Sequence, residues 1–387
     1  MFKIQTKNKI TKHGLDIFDE KKYKISDNET TPDAIIVRSA NMLDLEINPE
    51  LKAIARAGAG VNNIPVEKCA KAGIVVFNAP GANANAVKEL AVAALVLASR
   101  NIIDAVNWTK TLTSDVAKEV ENGKSAFAGI EIAGKTLGII GMGKVGSLTA
   151  NAGVALGMTV IGNDPYMTIE SALSLSRSVK IARERDEIIE KSDYIALHAL
   201  LTAETRNMIN AETIAKMKDG VRIINLARGE FVDDDAMAEA LESGKVAKYI
   251  TDFPNEKVLQ MKNTIAIPHL AASTEESEDN CAIMAVNQLK DYLENGNIRN
   301  SVNYPDLVME RTTDMRLCVF HKNVSGTIST ISSAVSELGI NIEHFTNRSK
   351  GDYAYTMCEI NGKVPDDLIN KLSADKDIIR INIINGK

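Results

Sequence analysis

One stretch limits what this chain can fold into more than any other: KTLGIIGMGKVGSLTANAGVALGMTVIGND, residues 135–164. KTLGIIG (135–141) is an apolar, β-branched run of the kind that forms a buried strand, and MTVIGND (158–164) is another. Between them, glycines open a helix. Gly141, Gly143 and Gly146 stand in G-x-G-x-x-G spacing, with Met142, Lys144 and Val145 completing the turn. In a strand–turn–helix context the first glycine permits a tight turn and the second lets a pyrophosphate approach the backbone. The third allows close packing of helix on strand. The helix N-terminus then favours phosphate charge. Asp164, ending the second strand, can accept from a ribose 2′-hydroxyl and would repel a 2′-phosphate, so NAD is expected over NADP. Outside that context the glycines would mark only a turn.

The same alternation runs through the chain. DYIALH (193–198), VRIINLA (221–227), KYITD (248–252) and NTIAIPH (263–269) extend the set to six strands with helices between, a doubly wound dinucleotide fold. Upstream, DAIIVRS (33–39), LKAIARAG (51–58) and GIVVFNAP (73–80) predict a further parallel sheet. ANAVKELAVAALVLASRNI (84–102) is apolar almost all round and predicts a buried helix. STEESEDNCAIMAVNQLKDYLENG predicts another, with Ser273 and Glu276 as a capping box and Gly296 as its stop. YPDLVMER (304–311) reads as a linker. Beyond it MRLCVFH, INIEHFTN, YAYTMCEI and IIRINII, with helices after Gly326 and Pro365, give βαββαβ, a ferredoxin-like plait. The expected class is α/β: two Rossmann-like domains plus this C-terminal domain.

A chain of 387 residues is too long for one core. A net charge of −6 gives no general attraction for nucleic acid, so an anionic substrate needs local cations. Cys69, Cys281, Cys318 and Cys358 are scattered without a C-x-x-C pair, which predicts reduced thiols, no disulfide framework and no metal. MFKIQTKNKITKHG lacks the apolar core of a signal peptide, and AVAALVLA (91–98) is far too short to span a membrane. A cytoplasmic protein with neither membrane nor nucleic-acid partner is expected.

INLARGEFVDD (224–234) puts a permanent cation, Arg228, at the mouth of a buried strand. Asp252 and Glu256 follow the fifth strand of the dinucleotide set, and His269 ends the sixth. Ligands bind outside the carboxyl ends of such strands, so these side chains can converge. The types suit hydride transfer from a 2-hydroxy acid. Arg228 grips the carboxylate with a planar fork, and His269 takes the hydroxyl proton. Glu256 holds the imidazole and favours its protonated form. Taken singly, each has a plain alternative: an arginine in a structural ion pair, a histidine that is merely a loop residue.

RAGAGVNNIP, NAPGANANAVKEL, GIIGMGKVG, NLARGEFVDD, DFPNE and PHLAAST together resemble the D-isomer-specific 2-hydroxyacid dehydrogenases over essentially the whole chain. The resemblance implies oxidation of 3-phosphoglycerate to 3-phosphohydroxypyruvate with NAD, the first step of L-serine biosynthesis, with Arg228, Glu256 and His269 catalytic. It adds Thr202, Ala227 and Asp252 as cofactor contacts. It also implies a substrate domain made of residues 1–88 and 274–303, an NAD domain of 89–273, a linker of 304–311 and an ACT-type regulatory domain of 312–387. Within the last, His321, Asn323 and Asn341 stand where an L-serine effector would bind; a purely structural dimerisation domain is the alternative. The apolar 84–102 helix and the terminal domain favour a homodimer or homotetramer. For the substrate, Arg38 with Ser39, then Arg56, are the expected cations, and the N–H groups of Ala59 and Gly60 suit its carboxylate. A strand-end arginine is also a common ion-pair partner.

Several positions depart from the family pattern. Ser325 replaces the proline of an N-x-P-G turn, Leu200 the proline of an H-x-P loop, and Ala271 a glycine after the histidine. Lys88 replaces a small residue. At Thr251-Asp252 the family more often reads Asp then Val, so either the acid has shifted by one position or Thr251 takes over its contact. A dehydrogenase for another D-2-hydroxy acid and a catalytically silent NAD-sensing scaffold are the competing functions.

Overall fold

The computed structural model describes residues 1–386. The chain divides into two compact units: Met1–Asn83 together with the chain from Glu275 onward, and Ala84–Thr274. These cuts lie close to the expected 88/89 and 273/274 boundaries. The C-terminal plait forms its own antiparallel sheet within the first unit. Lys387 lies outside the described residues.

The first unit contains a parallel sheet of β1 (Phe2–Lys7), β2 (Tyr23–Ser26), β3 (Ala34–Val37), β4 (Ala53–Arg56) and β5 (Val75–Phe77), ordered β2-β1-β3-β4-β5. AIIV and VVF are buried throughout, as strands covered on both faces must be, which is why they read as unbroken apolar runs. FKIQTK and YKIS, mixed in polarity, carry no such signal.

The second unit is a seven-stranded parallel sheet. Its strands are β6 (Thr136–Ile140), β7 (Thr159–Asn163), β8 (Lys180–Ile181), β9 (Tyr194–Leu197), β10 (Val221–Asn225), β11 (Val246–Thr251) and β12 (Thr264–Ala266), ordered β12-β11-β10-β9-β6-β7-β8. The six expected strands gain the two-residue edge strand β8. The order reverses between β6 and β9, beside the glycine turn, and this switch point is where such sheets bind ligands. The expected 84–102 helix ends at Ser99. It buries Val87, Ala91, Ala94, Leu95 and Ala98, while Glu89, Ala93 and Val96 are exposed, so it is not buried all round.

In the first unit the helix Glu275–Asn295 packs Ala285, Leu289 and Tyr292 into the core of the parallel sheet. Because it starts at Glu275, Ser273 lies too far upstream to cap it, and the expected capping box does not form. Gly296, at φ +74, ends it. The plait strands are β13 (Met315–Lys322), β14 (Ile342–Lys350), β15 (Tyr353–Ile360) and β16 (Ile378–Asn385), antiparallel in the order β14-β15-β13-β16. YPDLVMER is packed structure and not a linker. Tyr304 and Leu307 are buried, the Tyr304 hydroxyl donates to the Ala70 carbonyl at 2.7 Å, and Leu307 bridges Ile298. A fully buried pair, Arg316 with Glu359 at 2.7 Å, sits where the plait meets this segment. Arg316 also donates to the carbonyls of Asn295 and Glu310, which ties the plait strand to both segments.

All four cysteines are buried and unbridged. Burial pushes the Cys69 and Cys318 thiols up to about 11, which makes them unreactive. Among the described residues no helix is long and apolar enough to cross a membrane.

Candidate active site

Gly141 has φ +94, and a Cβ there would lie 2.4 Å from the Ala199 nitrogen. A Cβ on Gly146 would lie 1.9 Å from the Gly141 carbonyl oxygen, so the turn and the first helical turn are pressed together. Gly143 is different. A Cβ there meets nothing within 4 Å, which leaves open space over the N-terminus of the helix Lys144–Ala155. Cramped first and third glycines around a clear second one form the cradle that a pyrophosphate requires. Met142 is buried beneath the turn and Val145 is half-buried, while Lys144 is exposed.

Asp164 also holds the turn. Its Oδ2 accepts from the Met142 N–H at 2.8 Å and its Oδ1 from the Tyr166 N–H at 2.9 Å. Each carboxylate oxygen keeps a lone pair for a ribose hydroxyl. Asp164→Asn is expected to cut the preference for NADH over NADPH by roughly tenfold, because the repulsive charge is removed. The ratio of kcat/KM values for the two cofactors measures this.

The three candidate side chains leave the sheet side by side. Asn225 on β10 lies beside Thr251 on β11, which lies beside Ala266 on β12. With strands ~4.8 Å apart, the segments bearing Arg228, Asp252 and His269 depart within about 10 Å of one another. Arg228 is exposed, and one guanidinium nitrogen donates to the Ala227 carbonyl at 2.6 Å. Among the described residues no carboxylate is within ion-pair distance of it, so its charge is uncommitted. His269 is exposed, its ring 4.8 Å from that of Phe253. Its φ of +46 is left-handed, a conformation costing a non-glycine residue about 1–2 kcal/mol. Its N–H donates to the Asp252 carbonyl at 3.0 Å.

Glu256 stands apart from the His269 ring. It is exposed, and among the described residues it has no hydrogen bond or ion pair, so the expected contact with His269 is absent. It lies in the solvent-facing stretch Pro254–Lys257, outside the sheet's hydrogen-bond frame. The buried carboxylate near His269 is Asp252, fully inaccessible. Its Oδ2 accepts from the Ala271 N–H at 3.1 Å, and its Oδ1 has no partner. Burial raises its carboxyl above the ordinary range, while the Ala271 N–H and the charges of His269 and Arg228 act in the opposite sense. Thr251, also buried, spends its hydroxyl accepting the Phe253 N–H at 3.1 Å. Thr202 is engaged in a local turn, its N–H donating to the Thr205 hydroxyl at 2.8 Å, and Leu200 beside it is exposed.

Two residues here were not identified from sequence. Asn225 is fully buried with its side chain bonded to the backbone of Ala227 and Arg228. His198 follows β9 at the switch point, and its buried Nε2 has no partner. Burial pushes its imidazole down to about 4, so it is neutral near pH 7. A polar residue ending an apolar strand at that edge was the available signal.

The first unit does not leave its expected substrate cations idle. Arg38 is paired with Glu278 at 2.6 Å, and Arg56 donates to the carbonyls of Arg38 and Gly60. The Ser39 N–H is held by Asn8 at 3.1 Å. Ala59 is exposed, and its carbonyl accepts from Asn78. Among the described residues the N–H groups of Ala59 and Gly60 have no acceptor.

The effector trio does not meet within one plait. His321 is buried, with Nδ1 2.8 Å from the Lys322 carbonyl and Nε2 3.0 Å from the Thr356 hydroxyl and 3.1 Å from Asn347 Oδ1. Both ring nitrogens are therefore occupied. Asn323 donates to the Gly351 carbonyl and Asn341 to Glu343. Ile342 and Met315 both pair with Ile360, so Asn341 lies at the Met315 end of the sheet. His321 and Asn323 lie at the other end, roughly 20 Å away along the strand.

Residues 92–271 match the family described as D-isomer specific 2-hydroxyacid dehydrogenase, NAD binding domain. The hydroxypyruvate reductase of Thermotoga maritima is 39% identical over 269 residues, which is 66% of this chain and 83% of that protein. The D-3-phosphoglycerate dehydrogenase of Methanocaldococcus jannaschii is 36% identical over 305 residues, 76% of this chain and 56% of that protein. The chain spans 52% to 64% of the length of four curated phosphoglycerate dehydrogenases that it matches. Among solved structures, NAD⁺-bound 3-phosphoglycerate dehydrogenase of Entamoeba histolytica superposes with a TM-score of 0.61 at 27% identity, covering 78% of this chain and 98% of that one. Likeness of this extent, to proteins matched over most of their own length, shows that this chain belongs to the D-isomer-specific 2-hydroxyacid dehydrogenase family and that its second unit carries that family's NAD-binding domain.

Proposed function

We propose that this chain oxidises 3-phosphoglycerate at its 2-hydroxyl to 3-phosphohydroxypyruvate, releasing one proton and passing one hydride to NAD. The observation that carries this reading is Arg228. It is an exposed arginine without an acid partner among the described residues, leaving the sheet two strands from His269 in the unit that holds the glycine cradle. NAD, when bound, supplies the hydride acceptor. Arg228 holds the substrate carboxylate through two parallel N–H donors and so orients the adjacent carbon. His269 accepts the hydroxyl proton on a ring nitrogen as the carbonyl forms. Glu256, moving with its exposed loop, brings a carboxylate to that ring and favours the protonated imidazole. In the first unit, Arg38 is the candidate phosphate cation, exchanging Glu278 for an anion, and the N–H groups of Ala59 and Gly60 are candidate donors to a carboxylate. The relatives' names support the substrate: the M. jannaschii protein is a D-3-phosphoglycerate dehydrogenase. The competing substrate class, a D-2-hydroxy acid without phosphate, is supported by the T. maritima hydroxypyruvate reductase.

Comparing kcat/KM for 3-phosphoglycerate, D-lactate and D-glycerate with NAD decides between them. We expect phosphoglycerate to lead by at least about tenfold, a modest premium for one additional charged contact. Equal values would remove the phosphate assignment.

We further infer that the plait binds an L-serine effector only as a homo-oligomer. The edge strand β14 lacks a neighbour on one side. Antiparallel pairing with the same strand of a second copy would carry that copy's Asn341 to the Gly351 end, where Asn323 lies. His321 then supports the site through Asn347 and Thr356 and is not itself a free ligand. Calorimetry with L-serine at millimolar concentration checks this; no heat and no inhibition would reject it.

A further inference from the structure

We infer that Asn225 and Asp252 form a buried crosspiece that sets the spacing between Arg228 and His269, acting as positioning residues for the reaction proposed above. Every link is a hydrogen bond in the structure. The Asn225 Oδ1 accepts from the N–H groups of Ala227 and Arg228, both at 3.3 Å, and its Nδ2 donates to the Arg228 carbonyl at 2.8 Å. The side chain thus grips Arg228 by both its amide N–H and its carbonyl. The Asn225 carbonyl accepts from the Asp252 N–H at 3.4 Å, joining adjacent strands. Asp252 in turn grips the histidine turn twice: its carbonyl accepts the His269 N–H at 3.0 Å, and its Oδ2 accepts the Ala271 N–H at 3.1 Å. Both residues are fully buried, so neither can swing to other partners.

The residue types match the task. Position 225 needs an acceptor and a donor on one short planar side chain, which asparagine supplies. Position 252 needs an acceptor aimed at an N–H in a turn whose central residue, His269, is held at positive φ. That turn is strained and persists only if its surroundings over-determine it. The substrate carboxylate and hydroxyl are on neighbouring carbons, so the fork and the imidazole must keep a set separation. A misplacement of 1 Å at such a site can lower the rate about a hundredfold.

Alanine and conservative variants at both positions test the idea. Asp252→Ala and Asn225→Ala should each lower kcat roughly 10- to 100-fold, and in Asn225→Ala the NADH dissociation constant should change by less than about threefold. Asp252→Asn keeps an amide oxygen for the Ala271 N–H and should restore kcat to within about threefold of the parent. The double alanine variant should fall short of the product of the single effects, since both break one crosspiece. Amide exchange at Ala271 should accelerate in Asp252→Ala and stay slow in Asp252→Asn, a readout that needs no turnover. Unchanged kcat in both alanine variants, or an Asp252→Asn protein as slow as Asp252→Ala, would overturn the assignment. If Asp252→Ala does not fold, Asp252→Asn and Asn225→Ser carry the test. A parent protein inactive on every hydroxy acid, yet with the expected exchange pattern, would sink the proposed reaction and leave the crosspiece standing.

Discussion

His269→Ala is expected to lower turnover by roughly 10³- to 10⁴-fold while leaving NADH affinity within about twofold of the parent. A hydroxyl cannot give up its proton to water at a useful rate while hydride leaves the same carbon, so the whole contribution of a positioned base is at stake. The imidazole is exposed, its ring 4.8 Å from that of Phe253 and tilted to it, and β12, which precedes it, lies four strands from β6, which leads into the glycine cradle. Its removal should therefore affect chemistry and not cofactor binding. The backbone φ of +46 complicates alanine, which is strained there, so His269→Asn is the better control because asparagine tolerates left-handed backbone. Both variants should be equally slow. Stopped-flow turnover and fluorescence titration with NADH measure the two quantities, and near-parental kcat in either variant would remove His269 from the mechanism.

Arg228→Lys should reduce kcat/KM for the hydroxy acid by about 10²- to 10³-fold, although the charge is retained. An ammonium offers three donors on a rotating head, whereas the guanidinium presents two parallel N–H groups matched to a carboxylate. One Arg228 nitrogen already donates to the Ala227 carbonyl, so the fork is tethered before substrate arrives. Lysine loses that tether along with the two-point grip. Because the substrate is also misoriented, kcat should fall together with the rise in KM. A variant with KM raised but kcat intact would mean that Arg228 only binds and does not orient.

How far the site was legible in the sequence depends on the residue. The glycine turn was readable because its three positions answer to local demands: a positive φ, an open approach and a close packing contact, each of which excludes a side chain. The strands around it were readable because burial on both faces produces apolar runs that need no knowledge of their neighbours. Arg228 and His269 stood out as polar residues ending such runs. Glu256 illustrates the opposite case. Spacing after a strand suggested a partner for His269, yet it lies exposed while Asp252, immediately after the strand, takes the buried position. Which of two acids four residues apart turns inward is decided by the neighbouring 267–271 turn.

By itself the sequence determined the α/β class and the dinucleotide unit, since these follow from periodicity and glycine geometry within short windows, and it singled out Arg228 and His269 as candidates. Only the tertiary structure decided the rest. Arg38 meets Glu278, a residue on a distant helix. His321 turns into the plait, and Tyr304 turns a supposed linker into core by reaching Ala70. Each is a choice between water and a partner far away in sequence, made by which groups the packed chain leaves unsatisfied, and no local window contains that information.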